Sequence, residues 1–127
     1  MNNNMELTLN EYQKKAMTTC MASSNNFSYM FLNLVGEVGE FASKVAKLIR
    51  KDKAGIEYDI LMMNGCHQCD VEELQKEAGD ILWQLSGLCT VMGWELEDIA
   101  QQNLDKLAAR KAVGTIDGNG DGIIREK

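Results

Sequence analysis

Apolar residues recur every three or four positions through most of the chain, which is the spacing that places them on one face of an α-helix. In residues 29–50 the apolar positions are Phe31, Leu34, Val35, Val38, Phe41, Ala42, Val45, Leu48 and Ile49. In residues 72–92 they are Leu74, Ala78, Ile81, Leu82, Leu85, Leu88 and Cys89. The pattern therefore predicts two long amphipathic helices, each with one face in the core.

A shorter helix is predicted on either side of this pair. Thr8 can cap a helix start, and Glu11, three residues later, can complete a capping box. The first helix is therefore expected to run from there to about Met21, and the last from near Glu95 to about Ala112. With short connections and no strand predicted, the fold class is all-α, a bundle of four to five helices.

Two segments lie outside these helices. Residues 56–71, IEYDILMMNGCHQCDV, are expected to hold either a short helix or an irregular lobe. Residues 113–127 are rich in glycine and aspartate and are expected to form a flexible C-terminal tail. The predicted organisation is one helical domain, residues 1–112, followed by this tail.

Composition narrows the function classes. The chain has 127 residues, 45% of them hydrophobic, which is enough for one domain with a core. A formal charge of −6 argues against a general affinity for nucleic acid polymers. No apolar run approaches the roughly 20 residues that span a bilayer, and the N-terminal residues do not resemble a signal peptide. We therefore expect no membrane contact and a cytoplasmic location.

Each long helix carries a pair of acidic residues three positions apart. Glu37 and Glu40 lie in the stretch EVGEF, and Glu77 and Asp80 lie in EAGDI. Such residues lie about 60° apart around a helix, so each pair stays beside the apolar face. If the two helices pack antiparallel through those faces, the four carboxylates converge at one rim.

A group of four carboxylates requires positive charge nearby, because like charges repel and partial burial increases the repulsion. Oxygen ligands without histidine or cysteine suit a hard cation, Mg²⁺ above all. Gly36, Gly39 and Gly79 lie among the acids and predict that something approaches the backbone closely there. The matched pairs therefore predict a metal site, the alternative being that each pair simply faces water.

Basic and amide side chains on these helices are candidate substrate contacts. Lys44 and Lys47 continue the stripe of Glu40, and they either meet phosphate oxygens or form ordinary ion pairs along the helix. A second polar stripe in the last helix consists of Asn103, Lys106 and Arg110. Its two cations could hold phosphates, and the asparagine carboxamide could bind a base edge or a sugar hydroxyl.

Taken together, these motifs make the chain resemble the MazG-like family of all-α nucleoside triphosphate pyrophosphohydrolases. In that family an E-x-x-E pair on one helix and an E-x-x-D pair on the next hold Mg²⁺. The resemblance covers most of residues 5–112 and includes LVGEVGEFASKVAKLIRKD and ELQKEAGDILWQLSGL. The chain departs from the family in its longer segment 56–71, and in Gly36, where a further acid often stands.

The resemblance implies an enzyme. Mg²⁺, or Mn²⁺ in its place, would be held by Glu37, Glu40, Glu77 and Asp80 and would activate a water that attacks the α-phosphorus of a (deoxy)nucleoside triphosphate. The products would be the monophosphate and pyrophosphate. Assembly into a homodimer or homotetramer is also implied. The alternative is a non-catalytic helical module that binds nucleotides or other proteins.

Two further motifs are weaker. The stretch DGNGDGII imitates a calcium-binding loop, but the position of its bidentate glutamate would fall beyond Lys127, so we do not expect an EF-hand. Cys66, His67 and Cys69 offer three zinc ligands, whereas tetrahedral zinc usually takes four, and we expect loop residues without a metal. The cysteines of a cytoplasmic protein are expected to be reduced.

Overall fold

The computed structural model describes residues 6–114, which contain four α-helices and one two-stranded sheet. The helices are α1 (Leu9–Met17), α2 (Phe27–Arg50), α3 (Gln68–Val91) and α4 (Leu96–Ala112). A 3₁₀ turn (Ala22–Ser24) follows α1, and two strands, β1 (Gly55–Glu57) and β2 (Ile60–Met62), separate α2 from α3. The all-α fold class is confirmed, although the expectation of no strand is wrong. The tail from residue 115 and its calcium-loop pattern lie outside the described residues.

Local hydrogen bonds set the ends of α1. The predicted capping box is confirmed, because Thr8 Oγ1 accepts from the backbone N–H of Glu11 at 3.0 Å and Glu11 Oε1 accepts from the backbone N–H of Thr8 at 3.3 Å. The helix ends at Met17 rather than near residue 21. The threonine hydroxyls at positions 18 and 19 donate to carbonyl oxygens of the last turn, a local bonding pattern that competes with helix continuation.

Most of residues 56–71 belong to a β-hairpin or to the start of α3, not to a separate helix or an irregular lobe. The two strands are antiparallel, with Gly55 opposite Met62 and Glu57 opposite Ile60. Tyr58 and Asp59 form the two-residue loop and have positive φ angles of 52° and 63°, as a type I′ turn requires. Type I′ turns usually have asparagine and glycine at these two positions, so Tyr58 and Asp59 do not indicate the turn from sequence.

The helix α3 begins at Gln68, earlier than the predicted start near residue 72. Its first turn is capped by Asp70, whose carboxylate accepts a hydrogen bond from the backbone N–H of His67 at 2.9 Å. This bond is the main cause of a lowered pKa at Asp70, and the Lys53 ammonium at 3.2 Å contributes to the same shift.

The centre of the fold is the contact between α2 and α3. Met30 packs against Gly87, where an added Cβ would overlap the methionine side chain, and Lys44 of α2 forms an ion pair with Glu73 of α3. The two helices therefore run antiparallel. α1 packs against α3 and α4. Between residues 6 and 114 the buried apolar side chains are those of Met30, Leu48, Leu74, Cys89 and Leu96.

A buried glutamine connects α1 to the other end of the chain. Gln13 Nε2 donates to Thr90 Oγ1 and to the carbonyl oxygen of Trp94, both at 3.0 Å, and Gln13 Oε1 accepts from the backbone N–H of Leu96 at 2.8 Å. These bonds satisfy polar groups at the turn between α3 and α4, so α1 is held in one position beside α3.

Part of the predicted apolar face of α2 is not covered by this chain. Leu48 is buried, but Phe31, Val35 and Val38 remain 44%, 59% and 51% exposed. The expectation that these three residues lie in the core is therefore wrong for the single chain. α2 presents a second apolar stripe to the outside. Within residues 6–114, no helix combines the length and apolar character needed to cross a bilayer.

Candidate metal and phosphate site

Three of the four predicted carboxylates come together between α2 and α3. Glu37, Glu77 and Asp80 each offer a carboxylate oxygen, and these oxygens lie within 4.8 Å of one another. We call these three residues the carboxylate cluster. Glu40, one turn further along α2, is exposed and does not belong to it. The antiparallel contact of the helices therefore gathers the E-x-x-D pair and one member of the E-x-x-E pair.

Mutual repulsion is visible in the electrostatics of the cluster. The pKa of Glu37 is raised by burial first, and then by the negative charges of Asp80, Glu77 and Glu40. The pKa of the Tyr12 hydroxyl is raised by burial and by the charge of Asp80. Tyr12 is thus a neighbour of the cluster contributed by α1, and nothing in the sequence pattern singled it out.

Lys44 is the cation beside the cluster. Its Nζ lies 2.7 Å from Glu73 Oε1 and 3.1 Å from Glu77 Oε2, and these bonds raise the pKa of Lys44 and lower that of Glu73. The lysine therefore pairs across the helix interface and not with Glu40 of its own helix. Glu73 was not predicted, although its position one turn before Glu77 on the same helix could have indicated it.

One oxygen of Glu77 lacks a partner. Lys44 contacts Oε2, while Oε1 is buried and accepts no hydrogen bond from any of the described residues. A buried carboxylate oxygen without a partner is costly, and a cation that coordinates it would remove that cost. Together with the neighbouring oxygens of Glu37 and Asp80, it forms an all-oxygen donor set that fits a hard divalent cation.

The glycines around the cluster leave open space. At Gly36, Gly39 and Gly79 an added Cβ would meet no atom of the described chain within 4 Å. No part of the described chain therefore approaches the backbone there, and the close approach of a ligand at these glycines stays a prediction. The same open space leaves room for a ligand beside the acids.

A cavity of about 190 Å³ lies at the end of the α2–α3 contact. Lys44 and Lys47, both predicted as phosphate contacts, lie in its wall. The remaining lining residues are Leu48, Lys51, Lys53, Asp70, Glu73 and Leu74. We call this space the lysine cavity. The sequence pattern had not singled out Lys51 or Lys53.

The polar stripe predicted on the last helix, now α4, consists of Asn103, Lys106 and Arg110. Asn103 is exposed, Lys106 is half-buried and Arg110 is buried, on a helix whose main packing partner is α1. Among the described residues, no hydrogen bond or ion pair joins Asn103 or Lys106 to the carboxylate cluster. Their roles as substrate contacts stay predictions.

The Cys-His-Gln-Cys stretch does not form a metal centre within residues 6–114. Cys66 Sγ donates to the carbonyl oxygen of Lys53 at 3.4 Å, and His67 is the N-cap residue of α3. All four cysteines are free: Cys20, Cys66, Cys69 and Cys89.

The mostly helical fold thus gathers carboxylates from two antiparallel helices beside a lysine-lined cavity. Comparison with known proteins gives the family. The model of the MazG nucleotide pyrophosphohydrolase domain matches residues 25–114, and the chain belongs to this family. Membership places it among the hydrolases that act as nucleotide pyrophosphohydrolases.

A relative has been found in a bacteriophage. The chain is 38% identical over 99 residues to the Gene 37 protein of Mycobacterium phage L5, an alignment that covers 78% of each chain. The name of that relative states no activity. No solved structure matches the chain significantly.

The cation site can be tested by thermal melting. Mg²⁺ should raise the melting temperature of the wild-type protein, since a ligand at about 100 times its Kd adds about 2.7 kcal/mol of stability. Glu77→Gln should abolish this shift, because it removes the charge and one donor oxygen of the central ligand. Glu72→Gln makes the same change at an exposed site of α3 and should leave the shift intact. An equal shift in wild type and Glu77→Gln would contradict the site.

Proposed function

We propose that the protein is a Mg²⁺-dependent nucleotide pyrophosphohydrolase that cleaves a (deoxy)nucleoside triphosphate into the monophosphate and pyrophosphate. The observation that carries the proposal is the carboxylate cluster with its unpartnered Glu77 oxygen. Family membership supports the reaction class. The lysines beside the cluster supply the charge that a polyphosphate requires.

Glu37, Glu77 and Asp80 would hold the cation, with Glu40 available at the outer edge of the same helix. Mn²⁺ should be able to replace Mg²⁺, because both take carboxylate oxygens. When bound, the cation supplies Lewis-acid chemistry, which neutralises phosphate charge and lowers the pKa of water. Because burial and the neighbouring acids raise the pKa of Glu37, a cation that binds its carboxylate should compete with protons, and its affinity should fall as the pH is lowered.

The chain's own residues would position the substrate. Lys44 is held at the rim of the cluster by Glu73 and Glu77, so its ammonium is oriented before a phosphate arrives. The raised pKa of Tyr12 keeps its hydroxyl protonated at neutral pH, and this group is therefore a hydrogen-bond donor beside Asp80. We assign the remaining contacts to phosphate, base and sugar to Lys47, Asn103, Lys106 and Arg110.

Direct attack by water accounts for the reaction without a covalent intermediate. The chain has one histidine, His67, which lies at the start of α3 and caps that helix. Water adds to the α-phosphorus, the bond from that phosphorus to the bridging oxygen breaks, and pyrophosphate leaves with that oxygen. Positive charge at the leaving group stabilises the charge that develops in this step.

The reaction can be tested with purified protein, Mg²⁺ and a panel of nucleoside triphosphates. The expected products are a nucleoside monophosphate and pyrophosphate in equal amounts, identified by ³¹P NMR. Glu37→Gln and Asp80→Asn should each lower kcat by at least about 100-fold, the scale for losing one electrostatic contact to the transition state. Glu72→Gln is the matched control and should retain activity.

Other product patterns would decide against this reaction. Release of orthophosphate with a diphosphate would mean attack at the γ-phosphorus. A folded wild-type protein that yields no product from any triphosphate would favour the non-catalytic helical module. Turnover of diphosphates alone would assign the site to a different class of nucleotide.

We also propose a homodimer or homotetramer in the cytoplasm, where nucleoside triphosphates and reduced thiols occur together. The second apolar stripe of α2 supports self-association, because Phe31, Val35 and Val38 lie in one row and are half exposed or nearly so. A second copy that packs on this row would remove it from water.

Light scattering tests the assembly. The wild-type protein should have two or four times the mass of one chain, and Val35→Asp should lower that mass to one chain because it places a charge in the apolar row. Lys15→Asp, on α1 and outside the row, should keep the wild-type mass. A monomeric wild-type protein would contradict the proposal.

A further inference from the structure

A buried glutamine lies beyond the carboxylate cluster on α3. The side chain of Gln84 belongs to the most buried part of the helix, with only 5% of the residue exposed. Its Oε1 accepts no hydrogen bond from any of the described residues. Such an oxygen is costly, because burial removes its bonds to water and no bond within the protein replaces them. A group that donates to this oxygen would remove the cost.

Helix geometry puts Gln84 on the side of α3 that carries the cluster. It follows Glu77 by seven residues, close to two full turns, and Asp80 by four. Three residues further on, Gly87 packs against Met30 of α2. Gln84 therefore lies between two points at which α3 faces α2, about 6 Å along the helix axis from Asp80.

The facing helix does not supply a donor for this oxygen. Asn33 lies on α2 between Met30 and Glu37, and both of these residues face α3. The Nδ2 group of Asn33 donates instead to the carbonyl oxygen of Tyr29 on its own helix, at 3.0 Å. Between residues 6 and 114, no hydrogen bond joins Asn33 to Gln84 Oε1. The oxygen can therefore accept a hydrogen bond from a ligand that enters beside the cluster.

Gln84 and Lys44 lie on opposite sides of the cluster. Lys44 pairs with Glu73 and Glu77, so this cation lies toward the N-terminal end of α3, whereas Gln84 lies toward the C-terminal end. Under the proposed function the α-phosphate lies at the cluster and the other phosphates extend toward Lys44, so the sugar points toward Gln84. Only one oxygen and one methylene group separate the α-phosphorus from the sugar ring. The sugar is therefore the part of the nucleoside that meets the helical turn after Asp80.

A purely structural explanation is that Gln84 is simply a buried polar residue without a partner. Ser86 is a second residue of this kind, since it is 0% exposed and its Oγ has no hydrogen-bond partner among the described residues. It follows Glu77 by nine residues and thus lies on the opposite side of α3. Thr90, one turn later on that side, is bonded to Gln13 of α1. Ser86 is therefore the control that separates the two explanations.

We propose that Gln84 determines specificity for the sugar, because its buried Oε1 accepts a hydrogen bond from a hydroxyl group of the nucleotide's ribose or deoxyribose. This inference rests on the proposed function. A nucleotide with that hydroxyl gives the oxygen its missing partner. A nucleotide without the hydroxyl leaves the oxygen buried and unpaired, and sites built in this way reject such analogues strongly.

Kinetics with altered sugars test the contact. One nucleoside triphosphate that the wild type hydrolyses is compared in its ribo, 2′-deoxy, 3′-deoxy and 2′,3′-dideoxy forms. Loss of the hydroxyl that Gln84 binds should lower kcat/KM of the wild type at least about tenfold, the factor expected when a buried acceptor is left unpaired. In Gln84→Met, which keeps the unbranched shape, the same loss should change kcat/KM less than about twofold. Gln84→Leu should give the same result, and Ser86→Ala should keep the wild-type ratio.

The position of the effect identifies the hydroxyl as 2′ or 3′. A wild type that responds to neither hydroxyl would overturn the proposal. So would an undiminished ratio in both Gln84 variants, or a ratio that Ser86→Ala reduces equally. Circular dichroism should show the same helical content in all four proteins.

Binding of nucleoside monophosphates separates this proposal from the proposed function. In calorimetric titrations with Mg²⁺, wild type and Ser86→Ala should bind a monophosphate at least about tenfold more tightly than its 2′,3′-dideoxy form, whereas Gln84→Met should not. This pattern in a wild type that hydrolyses no triphosphate would refute the proposed function and leave the sugar contact in place. Normal hydrolysis without any sugar preference would refute the contact alone.

Discussion

Three like charges held close together are the constraint on which the site depends. Glu37, Glu77 and Asp80 repel one another, and only the packing of α2 against α3 keeps them at one point. Burial raises the pKa of Glu37, and the negative charges of Asp80, Glu77 and Glu40 raise it further. A fold that brings acids together in this way is less stable than one that separates them, unless a cation binds. This repulsion therefore favours binding of a cation, because a bound cation removes the repulsion and stabilises the folded protein.

Lysine side chains near the cluster offset only part of its negative charge. Lys44 neutralises part of it from the rim and leaves one buried oxygen of Glu77 without a partner. The lysine cavity next to it has the opposite excess. A divalent cation and a polyphosphate together complement both regions, whereas either ligand by itself leaves one region unbalanced. The geometry therefore suits a metal-bound polyphosphate better than a free metal or a free anion.

Helical periodicity was sufficient to predict the core of this arrangement. Each acid pair lies beside an apolar face, and when the two faces pack antiparallel the acids at their edges can meet, as Glu37, Glu77 and Asp80 do. The same argument could not place Glu40, because a rotation of α2 by a few tens of degrees turns the outer acid to solvent. It also could not detect Tyr12, whose approach depends on how α1 packs.

Other features depend on information that the local pattern does not contain. The hairpin has Tyr58 and Asp59 at positions that usually take glycine or asparagine, so the local sequence does not indicate the turn or the place of Lys53 beside it. The amphipathic pattern of α2 marks Val35 and Val38 as residues to be buried, but it does not distinguish burial within a chain from burial between chains.

The most direct test of the account is the position of a bound cation. Crystals grown with Mn²⁺ and a non-hydrolysable triphosphate analogue should show an anomalous difference peak within coordination distance of Glu37, Glu77 and Asp80, with the terminal phosphates among the lysines. A cation bound elsewhere would contradict the central claim. So would an ordered triphosphate analogue with no cation at the carboxylate cluster.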